Sequence, residues 1–334
     1  MNDLEFEDIK LVAELPYRWD KLTNKTMLVS GGTGFIGTFL CEVLRYRNKK
    51  YNQNIKVISL SRHPKENNET VIYMKKDINE PISIDLPIDY ILHLASNTHP
   101  EQYKNDPVGT ITGNVFGAYN LLVLAKEKRI ERFVLASSCE IYGDGKPEPM
   151  DETYCGYIDS NTARAGYNES KRVSESLCQS FSQQFGVESC VVRLARVFGP
   201  DKTKNDTKAM SQFIKDAVNG KDIVLKSDGR QKYSYVYIAD AVSGILKVLF
   251  DGMAGEAYNV SSNYDGMCLG QYAAYLAKLC GKTVIYKVED NPNASRSKNA
   301  FLDNSKIRRI GFAPLYSVLE GLKRTFEILS DDLF

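Results

Sequence analysis

Apolar and polar positions alternate along the chain in two periods. Residues 26–30 (TMLVS) are a short apolar run that leads into GGTGFIG at 31–37. The next stretch, TFLCEVLRYR, has the spacing of a helix face at Phe39, Leu40, Val43 and Leu44. Further strand-like runs follow at 55–60 (IKVISL), 90–95 (YILHLA), 133–138 (FVLASS) and 189–198 (SCVVRLARVF), with a helical pattern over 114–129. Strands alternating with helices predict an α/β fold built on a doubly wound parallel sheet.

The pattern changes near residue 200. DKTKNDTK (201–208) is polar, and later segments are shorter, with helices predicted at 209–219, 239–250, 270–280 and 315–329. Residues 25–200 read as a dinucleotide-binding domain that also holds the catalytic residues. Residues 201–334 read as a smaller α/β substrate domain, partly interleaved with the first and capping the sheet's carboxyl edge. Residues 1–24 read as an appended arm. Asp3, Glu5, Glu7 and Asp8 are interleaved there with Leu4, Phe6, Ile9 and Leu11, which suits a short helix or strand packed on the outside.

Composition narrows the setting. The 43 Lys and Arg balance 42 Asp and Glu, which gives no electrostatic case for nucleic acid or an acidic membrane. No apolar run is expected to approach the roughly 20 residues of a membrane helix. The acidic start, MNDLEFEDIKLVAEL, does not read as a signal peptide. Seven cysteines without a Cys-x-x-Cys pair suggest reduced thiols and a cytoplasmic location. With three histidines, no metal site is expected.

Gly31, Gly34 and Gly37 stand three apart between the first strand and the first long helix. A tight turn there lets the backbone approach a pyrophosphate, and the helix N-terminus offers free N–H groups. This predicts Rossmann-type dinucleotide binding. An acidic residue at the end of the second strand would hold the adenosine ribose of NAD and repel a 2′-phosphate. Ser61 and Arg62 stand in its place. Arg62 could fork onto a 2′-phosphate, so the expectation leans toward NADP while leaving NAD open. Asp77 and Ile78 fall where an adenine-edge contact follows the third strand.

Tyr167 and Lys171 form Tyr-x-x-x-Lys in ARAGYNESKR. On a helix they share a face. An ammonium beside a phenol favours phenolate, lowering a pKa that is about 10 when unperturbed. Such a tyrosine can take a proton from a sugar hydroxyl. Ser138 closes a strand about 30 residues earlier, and its hydroxyl could hold the reacting oxygen.

GGTGFIG, HLAS (93–96), Asn114, SSCEIYG (137–143) and YNESK (167–171) together resemble the extended short-chain dehydrogenase/reductases that modify nucleotide sugars. The likeness runs from about residue 26 to 329. It is nearest the UDP-glucuronate decarboxylases and nucleotide-sugar 4,6-dehydratases, through HLASNTHPEQYKNDPVGTITGN, CGYIDSNTARAGYNESKRVSE and LDNSKIRRIGF. The resemblance implies that Phe35, Ile36, Leu94, Ala95, Ser96 and Asn114 join the glycines around the cofactor. It implies a 4-keto sugar intermediate. Tyr167 would take the C4 hydroxyl proton, Lys171 would hold the nicotinamide ribose, and Ser138 would bind the same oxygen. Glu140 falls where dehydratases and decarboxylases of the family carry glutamate. It would act as C5 base in a dehydratase, or position the substrate in a decarboxylase.

Several positions depart from that pattern. Cys139 stands where dTDP-glucose dehydratases have an acidic aspartate and decarboxylases have serine, which moves weight from the aspartate-assisted class. Arg164 matches an Arg-x-x-Tyr pattern of decarboxylases, where it would meet a phosphate or carboxylate or form a structural ion pair. Arg196 replaces a substrate-touching asparagine, and Tyr233 a diphosphate-binding arginine. Arg296 or Lys298 would replace another such arginine. Asp240 reads as a helix N-cap. The leading expectation is an NAD(P)-dependent nucleotide-sugar lyase. A 4-epimerase or 4-keto reductase on the same scaffold is the alternative, and a non-catalytic dinucleotide sensor a remote one. Relatives imply a homodimer through a four-helix interface from helices near 106–129 and 162–185, with Leu121, Leu122, Leu124, Val173, Leu177 and Phe181 as contributors. Surface-polysaccharide precursor synthesis is the pathway class that the family suggests.

Overall fold

A computed structural model of the chain describes residues 2–98, 104–202, 206–263, 265–288 and 299–331. It opens with helix α1 (Asp3–Glu14) and continues through β1 (Thr26–Ser30), α2 (Phe35–Tyr51), β2 (Lys56–Ser61), β3 (Val71–Lys75) and β4 (Tyr90–His93). Then come α3 (Pro107–Lys128), β5 (Arg132–Ser138), α4 (Ala165–Phe185) and β6 (Ser189–Leu194). The remainder carries β7 (Arg196–Phe198), α5 (Ala209–Val218), β8 (Ile223–Leu225), β9 (Lys232–Tyr233), β10 (Tyr235–Tyr237) and α6 (Ile238–Asp251). It ends with β11 (Ala257–Val260), α7 (Leu269–Cys280), β12 (Val284–Tyr286), β13 (Asn299–Ala300), α8 (Ser305–Arg309) and α9 (Val318–Asp331).

Seven strands form one parallel sheet in the order β11-β6-β5-β4-β1-β2-β3. β1 lies between β2 and β4, with Leu28 opposite both Ile58 and Ile91. The order reverses at β1, so a crevice opens beyond the carboxyl ends of β1 and β4, where such sheets take their ligands. Both sheet faces are covered, which is why the strands are apolar runs rather than alternating ones. Leu121, Leu122 and Leu124 of α3 and Phe181 of α4 fill one face with Leu28, Ile58 and Phe133. The opposite face joins α1, α2 and α6 with residues as distant as Leu322 of α9. Asp106 caps α3 by accepting from Gly109 N, and Pro107 occupies its first turn.

Four expectations are corrected. β3 is a strand the hydrophobic pattern did not announce; it is the sheet's edge, and only its first residue is buried. The run 189–198 is two strands that part at Ala195. β6 pairs with β5 and β11, whereas β7 leaves the sheet to pair with β10. Among the described residues one helix, α3, is long and apolar enough to cross a membrane by length and composition. Its Thr110, Asn114, Gly117 and Ala118 are packed inside the protein, as a core helix requires. Lastly, Leu121, Leu122, Leu124 and Phe181 are buried against the sheet and supply no outer interface. The exposed apolar residues of α3 and α4 are instead Val108, Ile111, Phe116, Tyr119, Val173 and Phe185.

Candidate active site

β1 delivers the chain into the glycine loop at the switch point. Gly31 has φ +76°, and a Cβ there would lie 2.9 Å from the Ala95 backbone that follows β4. A Cβ on Gly37 would fall 2.3 Å from the Gly31 carbonyl oxygen, so the first turn of α2 sits directly on the loop. Gly34 is the N-cap of α2 and has no side chain to occupy the first-turn N–H groups. A tight cradle ending on an uncapped helix N-terminus fits a dinucleotide's pyrophosphate. Phe35 and Ile36 begin the helix and pack on the core below.

At the crevice's ribose edge, Ser61 Oγ lies 2.9 Å from Thr33 Oγ1 and accepts from His63 N. Arg62 is exposed beside it. Lys65 Nζ reaches back to Thr38 Oγ1 at 3.2 Å, on the first turn of α2. Asp77 caps Asn79, while the Ile78 carbonyl accepts from Asn120 of α3, so the segment after β3 is tied to the crevice wall. On the other side, Leu94 N donates to Ser30 O and Ala95 N to Ser30 Oγ. Ser96 donates to Asn114, and Asn114 donates to Ser170 beside Lys171. That chain links the end of β4 through α3 to α4. His93, buried behind it, accepts or donates at Ser30 Oγ, and burial next to the Lys171 charge holds it neutral with a pKa near 3.

α4 starts two residues before Tyr167, so Tyr167 and Lys171 occupy its first two turns on one face, both buried. Lys171 Nζ donates to Ala136 O of β5 at 2.9 Å. Burial lowers the Lys171 pKa to about 8, and the Glu175 carboxylate opposes that fall. Ser138 ends β5 and caps the following 3-10 turn, accepting from Glu140 N at 3.2 Å.

That turn carries Glu140 into a clamp. Arg164 pairs with its Oε2 at 3.1 Å and Arg196 with its Oε1 at 3.0 Å. Asn168, one residue past Tyr167, donates to the Glu140 carbonyl. The Arg196 guanidinium also lies 3.7 Å from the Tyr233 ring centroid and 3.9 Å from Cys139 Sγ. Burial raises the Cys139 pKa above its ordinary value, against the opposing pull of the Arg196 charge, which makes the thiol a weaker acid. Arg196, Lys208, Met210, Ser211, Tyr233 and Tyr235 line an adjoining cavity of about 80 Å³. Arg296 and Lys298 lie outside the described residues.

The sequence reading missed Asn168, Lys208 and the pair Glu175–Arg193. Arg193 Nη2 meets Glu175 Oε2 at 2.8 Å, and Ser137 donates to Glu175 Oε1. A signal for Glu175 existed, since it stands four residues after Lys171 on the same helix face.

Comparison with known proteins fits this geometry. A family model, the NAD dependent epimerase/dehydratase family, matches residues 27–261. UDP-glucuronic acid decarboxylase 3 of Arabidopsis thaliana is 31% identical over 90% of this chain and 87% of its own. UDP-glucuronic acid decarboxylase 1 of Xenopus tropicalis is 29% identical over 93% and 73%. The dTDP-glucose 4,6-dehydratase DesIV of Streptomyces venezuelae, solved with NAD and TYD bound, shares the fold with a TM-score of 0.78 at 23% identity, over 92% of this chain and 97% of that one. The UDP-glucuronic acid 4-epimerase of Bacillus cereus gives 0.78 at 22%, over 92% and 100%. With the glycine cradle at the switch point and Tyr167, Lys171 and Ser138 around the crevice, the chain is a member of the NAD dependent epimerase/dehydratase family.

Proposed function

We propose that the chain decarboxylates a nucleotide-linked glucuronic acid through a 4-keto intermediate. The observation that carries this reading is the Arg164–Glu140–Arg196 clamp. A dehydratase needs a carboxylate free to take the C5 proton. Here both oxygens of Glu140 are engaged by guanidiniums, and burial makes the neighbouring Cys139 a weak acid. Decarboxylation needs neither group, because a 4-keto glucuronate is a β-keto acid that loses carbon dioxide once the ketone exists. Two arginines against one carboxylate leave a surplus positive charge, which suits a substrate carboxylate. The names of the two decarboxylase relatives support the same reading.

A bound nicotinamide dinucleotide, held at Gly31, Gly34 and Gly37, supplies the hydride acceptor for C4 and the donor that restores it. Tyr167 takes the C4 hydroxyl proton and later returns it. Lys171 stabilises the phenolate, and Ser138 Oγ holds the C4 oxygen. As the C5–C6 bond breaks, its electrons move onto that oxygen as an enolate, which Tyr167 and Ser138 hydrogen-bond. C5 then takes up a proton, leaving a pentose nucleotide and carbon dioxide. Ser61 and Arg62, with Lys65 nearby, favour NADP over NAD at the ribose edge. We infer a homodimer through the exposed faces of α3 and α4, and a reducing, cytoplasmic setting that keeps all seven cysteines as free thiols. The pathway class is synthesis of surface-polysaccharide precursors.

The test is mass spectrometry of UDP-glucuronate incubated with the enzyme and either dinucleotide. Loss of carbon dioxide is expected, faster with NADP. Loss of water from a UDP- or dTDP-hexose, with UDP-glucuronate unchanged, overturns the reading.

A further inference from the structure

We propose that Glu175 and Arg193 form a charge couple that keeps the catalytic ammonium of Lys171 protonated, which makes them positioning residues for the Tyr167 proton transfer. The inference rests on the 4-keto reading above and deepens it.

Lys171 is buried, with its ammonium on the Ala136 carbonyl. Among the described residues, the charged and titratable groups of the elements around it are few. His93 approaches from β4 and is neutral; Tyr167 and Glu175 share its helix; Ser137 and Ser138 end β5. Glu175 is the carboxylate that raises the Lys171 pKa against burial. It stands one helical turn away, with a side chain only 13% exposed. Its own charge is balanced by Arg193 of β6, which contacts both oxygens at 2.8–3.3 Å. Ser137, next to Ser138, donates to the same carboxylate. Burial raises the pKa of the Cys178 thiol, and the Glu175 carboxylate pushes it further up.

Arg193 is in turn held at a fixed distance. It donates to Tyr142 Oη at 2.9 Å and to the Glu152 carbonyl at 2.8 Å. Tyr142 donates to Asn259 of β11. The position of the balancing cation is therefore set by the sheet, not by the helix that carries Lys171. A buried ammonium with no anion nearby loses its proton readily. With an unbalanced carboxylate it would keep its proton to higher pH. The couple sets an intermediate value.

The two partners act on Lys171 with opposite sign, and this gives the test. Glu175→Gln removes the anion and leaves the Arg193 cation. The alkaline limb of the kcat–pH profile, where Lys171 deprotonates, should move down by about one pH unit. Arg193→Gln leaves Glu175 unbalanced and should move the limb up. The double variant should return it close to the parent position, and Glu175→Asp should hold it in place. The opposite directions are expected in an ultraviolet titration of the Tyr167 phenol, taken as the difference from Tyr167→Phe in each background, because a weaker ammonium charge leaves the phenolate less stabilised. In Glu175→Gln the phenol should ionise at higher pH. That second readout needs no substrate, so it stands even where UDP-glucuronate is not turned over. Thermal unfolding of each variant identifies any that fail to fold, and the remaining variants decide. Limbs and phenol titrations that stay fixed while rates fall in all variants would reduce the pair to a structural ion pair and overturn the proposal.

Discussion

Asp240 shows how one side chain ties stability to pH. It lies in the first turn of α6 rather than at its N-cap, which is Tyr237, and its carboxyl accepts from the backbone N–H groups of Leu315 and Tyr316. Those bonds favour the charged form, but burial outweighs them and raises its pKa to about 7 from 3.8. Between those values the folded state keeps a proton that the unfolded chain has released. This contribution is therefore present below pH 4 and is lost as pH rises through 7. Asp8 is shifted in the same direction by burial. Urea unfolding at pH 5 and pH 7.5 should show Asp240→Asn losing less stability across the interval than the parent, by on the order of 2 kcal/mol. An unchanged difference would mean that the carboxylate is ionised throughout. Residues of this kind are invisible in sequence, because YIAD says nothing of a loop 75 residues later. Gly31, Tyr167 and Lys171 were legible for the opposite reason: their chemistry follows from local spacing on a turn and on one helix. The Glu140 clamp was half legible. Glu140 and both arginines stood out singly, but their meeting is a product of three separated segments.

At the scale of elements, helix α1 is fastened rather than appended. Ile9, Val12 and Ala13 are buried in the core shared with α2 and α6. Asp8, on the same face, accepts from Tyr237 at 2.6 Å and Tyr316 at 2.7 Å, and pairs with Arg324 of α9 at 2.8 Å. Arg324 also donates to Glu7 and to the Leu4 carbonyl. The first and last helices thus close on each other through one buried charge pair. Arg324→Met strips Asp8 of its cation and should destabilise the fold by about 3 kcal/mol in chemical denaturation, whereas Asp8→Asn with Arg324→Met should cost less than the two single changes added. Additive losses would show that the pair is not coupled. The acidic–apolar interleaving of residues 3–11 signalled a helix or strand, yet the sequence could not show that Asp8 belongs inside. Strand signals behaved likewise. Runs buried on both faces, such as β1 and β5, announced themselves, while edge strand β3 did not, because half-exposed polar positions dilute its pattern.

At the scale of the whole molecule, α3 and α4 leave apolar positions uncovered among the described residues. Val108, Ile111, Phe116 and Tyr119 recur at three to five residues along α3, at 69%, 41%, 51% and 48% exposure, and Val173 and Phe185 of the adjoining α4 extend the surface at 43% and 42%. The opposite side of both helices is spent on the sheet, where Leu121, Leu122 and Phe181 are buried. Hydrophobic residues on both sides of α3 explain why its composition passes for a membrane helix and why the sequence pattern could not separate outward leucines from those buried on the sheet. Periodicity reports that a residue is apolar, not which of two faces it serves. A contiguous apolar surface on two long neighbouring helices is the kind of patch that a second copy covers by pairing the helices across a two-fold axis. The same helices carry Asn114, Tyr167, Lys171 and Glu175, so pairing would also stiffen the scaffold of the catalytic crevice. Light scattering on the purified chain should give twice the monomer mass, and Phe116→Glu should halve it, since a buried unpaired carboxylate costs several kcal/mol. Turnover by that variant should lie below the parent's at the same protein concentration. A parent chain that runs as a monomer, or a Phe116→Glu variant that stays dimeric, would place the interface elsewhere on the molecule.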